Sequence, residues 1–415
     1  MIYNVCPKVT AKQEETKVLQ MQNLKKQVLN IKSDDLMFGF IVLTFFLLPT
    51  GTAPPLISIG LAGLVWLFSG KAFHIKSIVR QSWFLPVIPF LILPWIGLLY
   101  SQNLDLGMDY ALKTKYWIVL FITAGLYLDE KRLFLIMKWF WAGLFMGAFL
   151  AFIQFIGLMA QINQWHLGFG IAYTLNDMYL IIGIMMASFY FKKEKAFTNR
   201  LVLLFLIFAF LFHLAVEKGK AGYLIFGFVS PFVANNLMYR FSLKIKIMVS
   251  VLLICCLMLS PVVRNEGKDI IVDLIEQKEN ILKGVYFHEF QRSFMFQEAV
   301  KIIIAHPFIG IGTGSLTEPT KAKGTLISHP HNNILYMGVS YGIFGIAACL
   351  WLFWKMFKMS WRSRETALGY FIFSTCMVLF LGGMFDTQIL NTGTLLFLSL
   401  TYGMMNHLSK PASVL

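Results

Sequence analysis

The sequence predicts an all-α, polytopic integral membrane protein with about 12 transmembrane helices. Hydrophobic residues make up 57% of the 415 residues, and charged residues make up only 14%. The mean hydropathy is +0.67, which is too apolar for a water-soluble domain with a charged surface. The apolar residues are moreover grouped in runs of membrane-spanning length.

A helix needs about 20 apolar residues to span the hydrocarbon core of a bilayer, and about 17 to 25 are tolerated. Several of the runs are short or contain Pro and Gly, so that their ends are only approximate. The predicted spans lie near residues 36–50, 54–70, 83–100, 110–128, 138–160, 177–191, 201–217, 220–237, 246–262, 332–354, 366–385 and 390–407.

Lysine and arginine cluster in alternate connections, and the positive-inside rule assigns these connections to the cytoplasm. Both termini then lie in the cytoplasm. The net charge of +15 is explained by this topology, so that no nucleic-acid partner is predicted. The basic connections are 71–80, 131–138, 192–200, 240–246 and 355–364.

The predicted spans divide the chain into five segments. The first 35 residues lack the apolar core of a signal peptide, and the five cysteines show neither metal-ligand spacing nor a disulfide pattern. The cysteines therefore predict neither a zinc site nor a disulfide framework, and we expect no metal and no cofactor. We expect a cytoplasmic tail over 1–35, helices 1–9 over 36–262, an outer loop with amphipathic helices over 263–330, helices 10–12 over 331–408 and a cytoplasmic C-terminus over 409–415.

His331 lies at the end of the outer loop and directly before an apolar run. Because it follows Pro330, and proline is favoured at the first helical position, His331 and Asn332 are predicted in the first turn of a helix. The free N–H groups and the dipole of such a turn attract anions and disfavour imidazolium. We therefore expect a neutral His331 that accepts a proton beside a phosphate-bearing ligand. The alternative is a histidine that only anchors the helix at the membrane surface.

Small residues follow His331 along the predicted helix. Gly338 and Gly342 form a small-xxx-small pair, which is typical of close helix packing. Close packing of this helix would hold His331 in place. Steps of four and three residues put one set of positions on a single face: His331, Leu335, Gly338, Gly342, Gly345 and Cys349.

Three cations on the same side of the membrane are candidate phosphate ligands. The planar guanidinium of Arg292 can donate two hydrogen bonds to one phosphate, against the alternative of a solvated loop arginine. Lys218 and Lys220 lie at an outer helix end, where they form a positive wall for an anionic lipid headgroup or else snorkel or pair with Glu217. The segment that Arg292 begins closes at Pro307 and a glycine turn at Gly310, Gly312 and Gly314.

The string from His331-Asn332 to Gly342-x-x-Gly345 resembles the signature of the O-antigen ligase family of bacterial envelope membrane proteins. The segment from Arg292 to Pro307-Phe308-Ile309-Gly310-Ile311-Gly312 is similar to the Arg-to-PxxGxG segment that precedes this signature in the family. The resemblance covers roughly residues 292–345. The rest of the chain shares with the family the number of spans, the orientation and a long outer loop.

This resemblance implies transfer of a glycan from undecaprenyl diphosphate to an acceptor hydroxyl at the periplasmic face of the bacterial inner membrane, without a metal. It implies that His331 takes the place of the essential histidine and Arg292 that of a loop arginine. Lys220 takes the place of a second arginine, which keeps the charge but loses the planar fork. Lys218 and Asn332 complete the expected diphosphate site.

Ligation of O-antigen to lipid A-core is the activity that we expect. A polymerase of the same family would use the same donor and a second lipid-linked glycan as acceptor. The rival from another class is a polysaccharide or lipid transporter without chemistry, which would carry paired repeats and ionisable residues near mid-membrane. The expected partners are the lipid-linked donor, lipid A-core or a glycan acceptor, and membrane lipids.

Overall fold

The computed structural model describes residues 33–162, 166–260, 263–264, 292–321 and 328–409. These residues form helices and connecting loops, so the predicted all-α class is confirmed. Most of the predicted cytoplasmic tail (1–35) and of the C-terminal segment (409–415), and about half of the outer loop (263–330), lie outside the described residues. Those three segment boundaries stay predictions.

The helices are numbered in chain order. Short 3-10 helices also occur at Lys71–His74, Leu85–Val87, Lys113–Ile118 and Gln388–Leu390, and the last turn of the first helix, Leu48–Thr50, is 3-10 as well. The α-helices are α1 (Ser33–Thr50), α2 (Ala53–Phe68), α3 (Ile75–Val79), α4 (Ile88–Leu98), α5 (Leu104–Leu112), α6 (Val119–Ala124), α7 (Glu130–Phe155), α8 (Tyr173–Lys193), α9 (Phe197–Val216), α10 (Lys220–Leu237), α11 (Leu243–Met258), α12 (Arg292–Ala305), α13 (Thr317–Lys321), α14 (Asn333–Arg362), α15 (Ala367–Phe385), α16 (Thr392–Gly403) and α17 (Met405–Leu408).

Six of the described helices, α1, α7, α8, α9, α14 and α15, are long and apolar enough to cross a membrane. The bent pair Ala53–Phe68 and Lys71–Val79 would add a seventh span. The chain is thus a multi-pass membrane protein, but the predicted count of about 12 spans is not confirmed. Some predicted spans are short or broken helices, since α4 contains Pro94 and the predicted span 110–128 is divided at Ile118.

Helix α8 lies at the centre of the bundle, and 94% of an 18-residue apolar stretch of it is buried. It packs against α7, α9, α10 and α15. Because apolar residues surround it on all sides, it has no face that prefers water or lipid. A central helix of this kind fixes the relative positions of the groups at its two ends.

Helix α14 is broken at Gly342, whose backbone has φ 60° and ψ −146°. A side chain at this position would overlap the carbonyl of Phe308. The predicted single face from His331 to Cys349 is therefore wrong, because the helix changes direction between Gly338 and Gly345. Gly338 does pack closely, since a side chain there would overlap Ile303 of α12.

The break exists because the glycine turn supplies partners for the helix backbone. The Ile311 N–H donates to the Val339 carbonyl at 2.9 Å, and the Gly312 N–H donates to the Ser340 carbonyl at 3.1 Å. On the other side of the break, the N–H of Ile343 donates to the carbonyl of Pro307 at 2.8 Å. The glycine turn, residues 307–314, thus takes the place of one turn of helical hydrogen bonds.

Candidate active site

His331 lies just outside α14. The prediction that it lies in the first turn of the helix is therefore wrong. Asn332 is the N-cap: its side-chain oxygen accepts the N–H groups of Ile334 and Leu335 at 2.9 and 3.0 Å. His331 itself has a positive φ of 50°, and it is the one described non-glycine residue with such a φ. Because an asparagine cap is available, the helix begins after it and proline does not occupy the first position.

The side chain of His331 is directed toward the loop that follows α15. Its Nδ1 atom lies 2.9 Å from Oδ1 of Asp386, and its side chain remains 37% exposed. An ionised carboxylate only accepts hydrogen bonds, so Nδ1 carries the hydrogen in this contact. The Nε2 atom of a neutral His331 is then the nitrogen that can accept a proton.

Asp386 is held in place by several donors. The Thr387 N–H donates to its Oδ1 at 2.8 Å, and Gln388 Nε2 donates to its Oδ2 at 3.0 Å. Burial favours the protonated form, but the hydrogen bond and charge of His331 outweigh it and lower the pKa of Asp386 below its ordinary value. The carboxylate is therefore charged at neutral pH and suited to orient the imidazole.

A second histidine lies against the first. The ring centroids of His329 and His331 are 4.4 Å apart in an edge-to-face arrangement. Burial, together with the charge of His331, lowers the pKa of His329 to about 4. His329 is thus neutral at pH 7 and forms part of the wall around His331.

The three side chains also form the one cluster in the described part of the chain that offers three ligand atoms within metal-binding distance. Suitable atoms of His329, His331 and Asp386 lie within 4.8 Å of one another. Imidazole and carboxylate are ligands that divalent zinc accepts. The metal-free chemistry that the resemblance implies therefore stays a prediction.

Lys218 and Lys220 lie in the turn between α9 and α10. Lys218 is exposed and Lys220, the first residue of α10, is half-buried. The turn closes over the buried carboxylate of Asp177, because a side chain at Gly219 or at Gly222 would overlap it. These two glycines let the backbone of the lysine turn approach α8 closely.

A polar cluster beneath this turn anchors it. The buried Glu217 has its Oε2 atom 3.3 Å from both Asn176 Nδ2 and His213 Nε2. His166, on the connection before α8, has its Nδ1 atom 3.7 Å from the other carboxylate oxygen of Glu217. The Glu217 carboxylate thus contacts Asn176 and two histidines. The sequence had left open that it pairs with the lysines.

The lysine turn and the histidine pair lie at the same end of α8. Thr174, in the first turn of α8, donates to Asp386 Oδ2 at 3.4 Å, while Asn176 and Asp177 contact the lysine turn. Residues far apart in the chain therefore meet around the start of this helix. This end of the bundle carries His331, Asp386, Lys218 and Lys220.

Arg292 begins α12, and the structure describes its backbone. Ile303 of α12 packs against Gly338, and Pro307 bonds to Ile343 further along α14, so the two helices run side by side in the same direction. The first residue of α12 consequently lies toward the end at which α14 begins. Asn332 is the remaining predicted ligand, and its amide is already used, since Nδ2 donates to the Met384 carbonyl at 3.0 Å.

The sequence reasoning missed Asp386, His329 and Lys113. Asp386 is the first residue after a predicted span on the outer side, and that position was the available signal. Lys113 donates to the carbonyl of Leu390, and its charge acts on His329. Nothing in the local sequence of Lys113 indicates that it lies near the histidines.

One known protein family matches the part of the chain that contains most of these residues. Residues 167–350 match the family model Wzy_C, described as O-Antigen ligase. No curated protein matches the chain. The matched segment contains the lysine turn, α12, the glycine turn and His331, and it supports a glycosyl-transfer function of the ligase or polymerase kind. Over this segment the chain matches the O-antigen ligase family.

Proposed function

We propose that this protein transfers a glycan from undecaprenyl diphosphate to a hydroxyl of lipid A-core at the periplasmic face of the inner membrane. The observation that carries the proposal is the contact between His331 and Asp386. It leaves Nε2 of a partly exposed imidazole as a proton acceptor, at the end of the bundle that also carries Lys218 and Lys220.

In the proposed reaction, the acceptor oxygen attacks the anomeric carbon of the glycan. The bond from that carbon to the diphosphate breaks, and undecaprenyl diphosphate leaves with the bonding electrons. The hydroxyl proton passes to Nε2 of His331, while the Asp386 carboxylate stabilises the imidazolium that forms. General base catalysis of this kind contributes roughly 10²- to 10⁴-fold.

The leaving diphosphate needs positive charge where its negative charge develops. We assign this role to Arg292, Lys218 and Lys220, with the guanidinium as the bidentate ligand. Lys113 adds a further positive charge near the histidine pair. We leave Asn332 out of the phosphate site, because both polar atoms of its side chain bind the protein itself.

The test is a transfer reaction with the purified full-length protein. Undecaprenyl-diphosphate glycan is supplied alone and then together with lipid A-core, and products are separated by size. We expect one glycan transfer per lipid A-core molecule, and none with His331→Ala. The exposed His306→Ala variant is the matched control and should transfer at the wild-type rate.

Two results would contradict the proposal. Longer lipid-linked glycans formed without lipid A-core would make the protein a polymerase of the same family. Near wild-type transfer by folded His331→Ala would reject the assigned base.

The orientation is tested separately in a variant whose five native cysteines are replaced by serine. We expect an impermeant thiol reagent applied to intact spheroplasts to label Lys321→Cys and to leave Lys195→Cys unlabelled. The opposite pattern would place the proposed site in the cytoplasm.

A further inference from the structure

A large cleft lies at the end of α7, α8 and α9 that is opposite to His331. Its volume is about 810 Å³, and it is lined by residues of all three helices. Thr174, at the start of α8, contacts Asp386, whereas Lys193, at the end of this 21-residue helix, lines the cleft. At about 1.5 Å per residue, the two places are roughly 30 Å apart. The cleft is therefore separate from the candidate active site.

The inner wall of the cleft is apolar. It includes Phe134, Trp141 and Phe145 from α7, and Leu203 and Leu206 from α9. The indole N–H of Trp141 donates to the carbonyl of Gly183 at 3.1 Å, so this ring presents only its apolar surface. A wall of this kind accommodates acyl chains.

One of the side chains that line the cleft has a buried polar atom without a partner among the described residues. The hydroxyl of Tyr190 is buried, and among the described residues it has no hydrogen-bond partner. Its ring is held edge-on to Trp141, with 5.6 Å between centroids. A buried hydroxyl without a hydrogen bond destabilises the folded protein. An acceptor atom that reached this hydroxyl from the cleft would remove the destabilisation.

The rim of the cleft is basic. Four lysines and two glutamates line it, which leaves a charge of 4 − 2 = +2. One of the acids, Glu194, is used locally, because its Oε1 accepts the N–H groups of Lys195 and Ala196 and its Oε2 accepts from Asn199. The lysines are Lys131, Lys138, Lys193 and Lys195.

We propose that this cleft binds an anionic phospholipid of the leaflet at that end of the bundle. The phosphate lies among Lys138, Lys193 and Lys195, the acyl chains lie against the apolar wall, and Tyr190 donates to a phosphate or ester oxygen. Basic pockets between membrane helices are suited to anionic headgroups in this way. A free phosphate would meet the lysines but would leave the apolar wall without a partner.

Binding is measured by native mass spectrometry of the full chain in detergent, titrated with phosphatidylglycerol. We expect the triple variant Lys138→Gln, Lys193→Gln, Lys195→Gln to bind about tenfold more weakly or worse. Tyr190→Phe removes only the hydroxyl and should weaken binding about threefold or more. Ala142→Phe, which narrows the cleft, should weaken binding without any change in charge.

The matched control is Arg240→Gln, Lys244→Gln, Lys246→Gln, which removes three charges at the basic connection between α10 and α11. It should retain wild-type affinity, and thermal unfolding in detergent verifies that every variant is folded. Equal weakening by the control triple would assign the binding to overall charge and overturn the proposal. Equal binding of phosphatidylcholine, or displacement by millimolar inorganic phosphate, would overturn it as well.

Discussion

His331 and Asp386 are 55 positions apart in the chain, and their side chains meet at 2.9 Å between Nδ1 and Oδ1. The contact joins the residue before the N-cap of α14 to the residue after α15. It gives the imidazole one tautomer and one orientation, and it connects the proposed base to the rest of the fold.

Replacing Asp386 by asparagine tests this contact. The asparagine side chain has nearly the same shape, but it lacks the charge that stabilises the imidazolium, so we expect the rate of glycan transfer to fall about 100-fold. The binding of the donor should change much less. Asp105→Asn, at an exposed carboxylate in α5, is the matched control. Wild-type turnover by Asp386→Asn would show that the carboxylate has no part in the reaction.

Exchanging the two kinds of cation tests the proposed diphosphate site. Arg292→Lys keeps the charge but loses the bidentate fork, so we expect transfer at limiting donor to fall about tenfold. Lys220→Arg adds a fork at the position that the resemblance matches to a second arginine, and we expect its rate to equal or exceed that of the wild type. A loss on Lys220→Arg as large as that on Arg292→Lys would argue against these assignments.

Removal of metal ions tests the metal-free mechanism. Incubation with a chelator should leave the transfer rate of the wild-type protein unchanged, since the proposed charges come from side chains. The measurement is the initial rate before and after chelation, with added divalent zinc as the reverse experiment. A rate that collapses with chelator and returns with zinc would instead assign His329, His331 and Asp386 to a metal.

The break in α14 gives a stability prediction. Gly342→Ala adds a side chain where φ is 60° and where Phe308 leaves no space, so we expect the free energy of unfolding to fall by about 2 kcal/mol or more. Gly60→Ala is the control, because it lies in α2 with nothing within 4 Å of the added carbon. That variant should be neutral or slightly more stable. Thermal unfolding in detergent compares the two.

The pKa of His329 predicts how stability depends on pH. The unfolded chain binds this proton below about pH 6.5, whereas the folded protein binds it only below about pH 4. The protein therefore loses stability as the pH falls from 6.5 to 4, by an amount on the order of 1 kcal/mol for this partly exposed group. His329→Gln should flatten the change in unfolding temperature between pH 7 and pH 5. An unchanged slope would show that His329 does not contribute.

The sequence predicted those parts of the site that depend on short motifs in neighbouring residues. His331 and the glycine turn lie in short motifs, and the turn does have the positive φ angles that only glycine adopts readily. Asp386 could not be identified, because its role depends on a contact with a residue in another part of the chain. No pattern around Asp386 or Lys113 encodes that proximity.

The prediction for α14 was wrong for a related reason. The spacing of Gly338, Gly342 and Gly345 fits a continuous helix, and intrinsic helical geometry would favour one. The glycine turn supplies other partners for Val339 and Ser340, so the tertiary contact overrides the local pattern. The predicted count of spans is not confirmed for a similar reason. Hydropathy identifies apolar residues, but it does not show whether one unbroken helix runs through them.

The glycine turn also has a consequence for how the chain is assembled during synthesis. Its Thr313 donates through N–H to the carbonyl of Gly97 at 3.2 Å and through its hydroxyl to the carbonyl of Pro94 at 2.8 Å. The ribosome makes α4 more than two hundred residues before this partner, so the carbonyl of Gly97, at the end of the helix, bonds to water in the meantime. The end of α4 therefore reaches its final hydrogen bonds only after the glycine turn has been made.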